Sequence, residues 1–195
     1  MTSIIARGSK SKVTVLLASA TAAVCLALTG GAQAQSQGKA SAESPYIPTA
    51  TIKEIMDSMV APTAQVLWDA VGVTVTEKGT VEKVPETDQE WATLRQNAVT
   101  LAEATNVLII PGRHVDEPGA QTAAQTGELA PPQIEARIKM DRMAWIAHAH
   151  VLHVAAMQAI KAIDAKDVQG LTDVGGTIDE ACETCHLQFW YPNQQ

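Results

Sequence analysis

Three residues near the C-terminus have the types and the spacing for chemistry: Cys182, Cys185 and His186, in the run Cys182-Glu183-Thr184-Cys185-His186. This is the Cys-x-x-Cys-His pattern of covalent c-type haem attachment. On a helix, positions i, i+3 and i+4 share one face, so both sulfurs can bond porphyrin vinyl groups while the imidazole reaches the iron from the same side. The competing readings of the cysteine pair are a strained surface disulfide, a thioredoxin-like redox couple and half of a zinc site. A redox couple belongs in a βαβ context, which the sequence lacks, and a zinc site needs a second cysteine pair. One covalent haem c is therefore the expected cofactor.

The elements that must position these residues are helical by composition. The chain has 195 residues, 46% hydrophobic and only 4% aromatic, with 32 alanines, and alanine favours helices over strands. A net charge of −7 with scattered basic residues excludes a phosphate-tracking surface, so no nucleic-acid partner is expected.

Export is expected from the N-terminus. Arg7, Lys10 and Lys12 precede an apolar run from Val13 to Leu28 and then Ala32-Gln33-Ala34, the positive, apolar, small-residue order of a cleavable signal. Residues 1–34 read as a signal peptide cut after Ala34, which places the protein in the periplasm. The competing reading is an uncleaved anchor, since the run is near the lower length limit for a bilayer span. Cys25 is a poor lipidation site because Val24 precedes it where a small residue is expected. No other segment reads as long and apolar enough to span. Processing removes three basic residues and no acidic ones, which takes the net charge from −7 to −10, and it leaves Cys182 and Cys185 as the only thiols.

Residues 35–50, rich in Ser, Gln, Pro and Ala, read as a flexible lead-in to a single domain over 51–195. A first helix is predicted from Ile52 to Val71, with Ile52, Ile55, Met56, Met59, Val66 and Leu67 on an apolar stripe and Pro62 interrupting it. Val/Thr alternation over 72–86, around Lys78-Gly79, predicts a small hairpin. The capping box Thr87-x-x-Glu90 opens a second helix to about Leu108, burying Trp91, Leu94, Ala98, Leu101 and Thr105. A long connection from Pro111 to Pro131 follows. A third helix is predicted from Pro132 to about Ile163, and a fourth from Val168 to Tyr191, stopping at Pro192. The expected fold class is all-α: a four-helix bundle around one core, with long loops between helices 1 and 2 and between helices 2 and 3.

With an export signal, four helices and Cys182-Glu183-Thr184-Cys185-His186 close to the C-terminus, the chain resembles the class II c-type cytochromes, the cytochrome c′ family. Asp173-Val174-Gly175 before the motif and Phe189 three residues after His186 also look like that family's last helix. The resemblance implies an up-and-down bundle, an architecture for which cytochrome c′ is itself a type example. It makes Cys182 and Cys185 the thioether sites and His186 the proximal iron ligand. It also implies homodimers through the first two helices. Two features depart from the family. Trp190 stands where a basic residue usually lies near a haem propionate, and the segments 72–86 and 111–131 are longer than in compact members.

The sixth coordination position decides the function. In the family the first helix supplies the residue facing the far side of the iron, and here it offers Met56 and Met59. The resemblance favours Met56; the alternative is that both methionines are core filler. Met–His ligation keeps the iron six-coordinate in both redox states and suits a carrier. The last methionine, Met157, lies upstream of the motif, so a downstream Met ligand is excluded. The histidines are the rival ligands: on a helical wheel His148 and His153 flank the stripe of the third helix, and His150 points outward. The three lack a carboxylate ligand set for a separate metal site. His114 and Arg113, in the long connection, could approach the haem edge and a propionate. Phe189, Trp190 and Tyr191 are expected to pack on the haem or cap the bundle end, and Trp68, Trp91 and Trp145 to be core.

These readings converge on a periplasmic monohaem cytochrome that carries electrons, is not an enzyme, and meets redox partner proteins through their basic faces. The alternative is a five-coordinate haem protein that binds nitric oxide or carbon monoxide. A peroxidase would need a distal acid–base group, and no residue is assigned to that role.

Overall fold

The computed structural model describes residues 45–121, 123 and 126–192. The expected signal peptide with Cys25, and residues 35–44 of the lead-in, lie outside the described residues. The described chain is mostly helical, with one two-stranded antiparallel sheet.

Helix α1 (Ile52–Ile55) opens on a capping box: Thr51 Oγ1 accepts from the Glu54 N–H at 3.1 Å, and the Glu54 carboxylate accepts from the Thr51 N–H at 2.8 Å. It continues into a π turn (Met56–Val60) and then α2 (Ala61–Trp68). Pro62 explains the π turn. Proline offers no N–H to the carbonyl four residues back, and its ring collides with that carbonyl. The turn just upstream absorbs the conflict by widening, so that the Ala61 N–H bonds to the Met56 carbonyl, five residues back. The helix ends at Trp68, short of the expected Val71.

Strands β1 (Gly72–Thr76) and β2 (Gly79–Lys83) form the expected hairpin, pairing Gly72 with Lys83 and Thr76 with Gly79. Gly79, at φ 124°, takes a backbone conformation that side chains disfavour. Every residue of both strands is exposed, so the sheet adds nothing to the core.

Helix α3 (Asp88–Leu108) begins with the capping box read from Thr87 and Glu90, and it buries Trp91, Leu94, Ala98, Leu101 and Thr105 as its apolar spacing requires. The helix predicted from Pro132 to Ile163 is two helices, α4 (Pro131–Met140) and α5 (Arg142–Asp164). They part at Asp141 (φ −125°, ψ 66°), whose carboxylate accepts from the Ala144 N–H at 3.0 Å. A short acceptor side chain that can satisfy a free N–H makes a helix start cheap at that point, while the apolar period runs on across it and hides the break. Helix α6 (Val168–Phe189) is capped by Asp167 and buries Leu171, Val174, Ile178, Ala181 and Phe189.

Helix α3 packs on α5, α5 on α6, and α2 on both α3 and α6; α4 lies against α5 and α6. The largest fully buried side chains include Leu67, Leu101, Trp145, Leu171, Ile178 and Phe189, one or more from each of α2, α3, α5 and α6. The Trp68 indole N–H donates to the Gly175 carbonyl at 3.0 Å, and a side chain at Gly175 would stand 3.4 Å from that ring. Among the described residues, α5 is long and apolar enough to cross a membrane, contrary to the sequence reading, but one face of it is core.

Leu101 is fully enclosed (0% exposed), so Leu101→Ala is expected to cost about 2–5 kcal/mol. A urea titration should show a lower midpoint with an unchanged slope. The Thr87 N–H, then its hydroxyl and the Glu86 N–H, hold the Glu90 carboxyl below its ordinary range. A carboxyl lowered on folding stabilises above its unfolded pKa of about 4.3 and loses that contribution as the pH falls through the folded value. Glu90→Ala is therefore expected to destabilise at neutral pH, with the deficit shrinking as urea midpoints are followed to lower pH. A deficit that stays constant would contradict this linkage.

Candidate haem site

The i, i+3, i+4 spacing puts Cys182, Cys185 and His186 on one face of α6, all half-buried. That face borders a cavity of about 300 Å³, at the small end of the range for ligand sites. Met56, in the π turn, lines the same cavity. So do Ala61, Ala64 and Trp68 of α2, Leu108 of α3, and Trp145, His148, Ala149 and Leu152 of α5. Met59 does not line it; Met59 packs half-buried against the core. A neighbouring cavity of about 290 Å³ is also bordered by Met56 and His186, together with Leu129, Ile134, Trp190 and Tyr191. The two side chains thus stand between one apolar cavity and one more polar space.

Both cysteines are free thiols. Burial, with Asp179 and Glu183 adding negative charge, pushes Cys182 up to about 11. Burial, reinforced by Cys182, pushes Cys185 up to about 12. The nucleophilic cysteine of a redox couple is lowered instead, so the electrostatics speak against that reading. Burial lowers the pKa of His186 and outweighs Glu183 and Glu128, which raise it. The imidazole is therefore held neutral, the form that ligates a metal.

Aromatic rings frame this histidine. Trp190 lies 5.6 Å from it and Tyr191 6.0 Å, centroid to centroid. Trp190 stacks near Trp145 at 6.1 Å, and Trp145 meets Phe189 edge-on at 5.5 Å. The Tyr191 hydroxyl donates to Glu183 at 2.7 Å. The Leu129 N–H donates to the Trp190 carbonyl at 2.7 Å, which ties the long connection to the end of α6.

The other histidines separate clearly. His148 lines the cavity, with Nε2 and the Gln188 side-chain oxygen 2.7 Å apart and its ring edge-on to Phe189. His153 turns to α3, its Nδ1 3.1 Å from both the Ala102 carbonyl and Thr105 Oγ1. His150 is exposed. Arg113 donates to the carbonyls of Ala50 and Val107, and His114 meets Glu135 at 3.2 Å. Neither Arg113 nor His114 borders the cavity. Both pin the connection to its surroundings instead of approaching the site. Sequence reasoning underweighted His148 and overlooked the alanine wall. The wheel signal for His148 was present, but a flank position does not say whether a cavity or solvent lies beyond it.

The site residues fit a haem c. Two thiols stand at the attachment spacing, a neutral imidazole shares their face, a thioether comes from another helix, and the walls between are apolar. Among the described lining residues Asp57 is the only Asp, Glu, Lys or Arg, so neither Lys nor Arg lines the cavity. No cluster of three or more His, Cys, Asp or Glu among the described residues is placed to hold a bare metal ion. A porphyrin iron needs no such cluster, because the macrocycle supplies the equatorial nitrogens. Comparison with family models, curated proteins and solved structures finds no match to this chain.

In the haem-free chain, the thiolate absorbance of Cys182 and Cys185 is expected to rise only near pH 11 to 12. Titration near the ordinary value of about 8.5 would show that the α6 face is not buried as described.

Proposed function

We propose that this chain is an exported monohaem c-type cytochrome of the class II, cytochrome c′-like kind, serving as a periplasmic electron carrier. Haem c is held by Cys182 and Cys185, with His186 as proximal ligand and Met56 as distal ligand. In this reading α1 with its π turn and α2 form one helix of a four-helix bundle, α3, α5 and α6 form the other three, and α4 is an added segment leading into α5.

The observation that carries the reading is that Met56 and the Cys182–Cys185–His186 face line one apolar cavity, although 126 positions separate Met56 from Cys182 in the chain. Haem, when bound, supplies a one-electron couple. The chain's own residues set its conditions. His186, kept neutral, offers a lone pair. The Met56 thioether favours the reduced state and raises the potential. The alanine, leucine and tryptophan walls present almost no polar group to the cavity, which limits reorganisation on that side when charge changes. Around the neighbouring cavity Asp57, Asp116 and Glu128 outnumber Lys53, which favours a partner with a basic docking face and an association rate that falls with salt.

The test is spectroscopic. Produced in a host that attaches haem c, the reduced protein is expected to show a low-spin spectrum that carbon monoxide leaves unchanged. Met56→Ala is expected to open the iron and make the spectrum respond to carbon monoxide. A prompt response of the parent protein would replace the carrier reading with the five-coordinate, gas-binding one. Recovery of Cys182→Ser/Cys185→Ser with covalently bound haem would exclude the attachment itself.

A further inference from the structure

The long connection between α3 and α4 touches both helical segments that would carry the axial ligands. At the start of α1 the Ile52 N–H donates to the His114 carbonyl at 2.9 Å, and the Lys53 N–H donates to the Val115 carbonyl at 3.0 Å. First-turn N–H groups have no partner within their own helix, so the connection supplies what α1 lacks. The Arg113 guanidinium donates to the Ala50 carbonyl just ahead of that turn. At the end of α6 the Leu129 N–H donates to the Trp190 carbonyl at 2.7 Å. Ile52 stands four residues before Met56, and Trp190 four residues after His186, so each anchor lies about 6 Å along a helix from a proposed ligand. Side chains repeat the link. Val115, 3% exposed, and Leu129 border the cavity that Met56 and His186 also border.

We infer that Val115 and Leu129 are positioning residues for the axial pair, bracing the segment that carries Met56 against the end of α6 that carries His186; this rests on the proposed Met56–His186 ligation. Helix packing fixes the span at its far end. The main packing of α1 and the π turn is on α3, and α2 further along is what meets α6. That contact, the Trp68 indole on the Gly175 carbonyl, lies twelve residues from Met56 and eleven from His186. At the near end the cavity stands between the two segments, and the connection bridges them there. A coordinating side chain has to be held within about 0.5 Å of its productive place by residues that are themselves locked. Val115 is locked by burial, and Leu129 by its bond to the Trp190 carbonyl and by packing against the core. Both belong to the connection and not to α3, α5 or α6, so loosening either releases Met56 while the bundle stays folded.

The experiment uses the haem-loaded, reduced protein. The parent, Val115→Ala, Val115→Ile, Leu129→Pro and Leu101→Ala are each mixed with carbon monoxide, the spectral change is timed, and thermal midpoints are recorded. Leu129→Pro removes the N–H that the Trp190 carbonyl accepts. Leu101 borders neither cavity, so its variant loses stability without touching the span. Val115→Ala and Leu129→Pro are each expected to raise the population with Met56 detached, and with it the rate of carbon monoxide uptake, by roughly tenfold or more. Val115→Ile and Leu101→Ala are expected to stay as inert as the parent, the latter despite its lower midpoint. The inference is overturned if either Val115→Ala or a folded Leu129→Pro remains inert, or if Leu101→Ala responds as they do. Should Leu129→Pro fail to fold, Val115→Ala and Val115→Ile decide the matter. A parent without covalent haem, or one that takes up carbon monoxide as fast as Met56→Ala, overturns the carrier reading itself, and the positioning role falls with it.

Discussion

Three side chains at i, i+3 and i+4 on α6 face open space, in a core that otherwise closes on itself. Protein interiors pack densely, so space of that kind exists only where neighbours recede. Ala61, Ala64, Ala149 and Ala181 line the cavity, whereas Leu67, Leu101, Leu171 and Ile178 fill the core elsewhere. The high alanine content thus acts twice. It favours helix along the chain, and at the cavity wall it keeps the helices joined without filling the gap between them. The face must also be held in place at both ends, and it is. Trp68 bonds to the Gly175 carbonyl before the motif, and Leu129 bonds to the Trp190 carbonyl after it.

The π turn is the local price of Pro62, and it bears directly on which methionine meets the cavity. In a regular helix Met56 and Met59, three apart, share a face. The wider turn breaks that phase. Met56 borders the cavity, while Met59 packs half-buried on the core. Single π turns recur at functional sites in helices, and the physical reason is visible here: a residue is re-aimed without breaking the rod that carries it.

Much of this arrangement was legible in the residues. The motif on α6, the capping box at Thr87 and Glu90, the buried positions of α3 and the hairpin at Lys78-Gly79 each rest on a local rule that tertiary contacts did not override. What escaped sequence reasoning was set by neighbours. Asp141 splits a helix because its carboxylate finds the Ala144 N–H, yet the apolar period on both sides continues unbroken. Arg113 could be imagined reaching a propionate, but its guanidinium is engaged by the backbone carbonyls of Ala50 and Val107. His148 and His153 looked equivalent on a wheel. One borders the cavity and the other bonds to α3, a distinction that depends on which helix lies opposite.

Helix α5 shows why composition and phase answer different questions. Its uncharged length satisfies the criterion for a membrane span, because summed hydropathy counts residues without regard to direction. A spanning helix must be apolar all round. Here the apolar residues resolve into a core stripe through Trp145 and Leu152 and an exposed set, Met143, Val154 and Met157, interspersed with polar His150 and Gln158. A bilayer would have to bury those polar groups at a cost, whereas a packed helix can meet them one by one. The direction in which each side chain points therefore separates a core face of α5 from an exposed one, which a summed hydropathy cannot do.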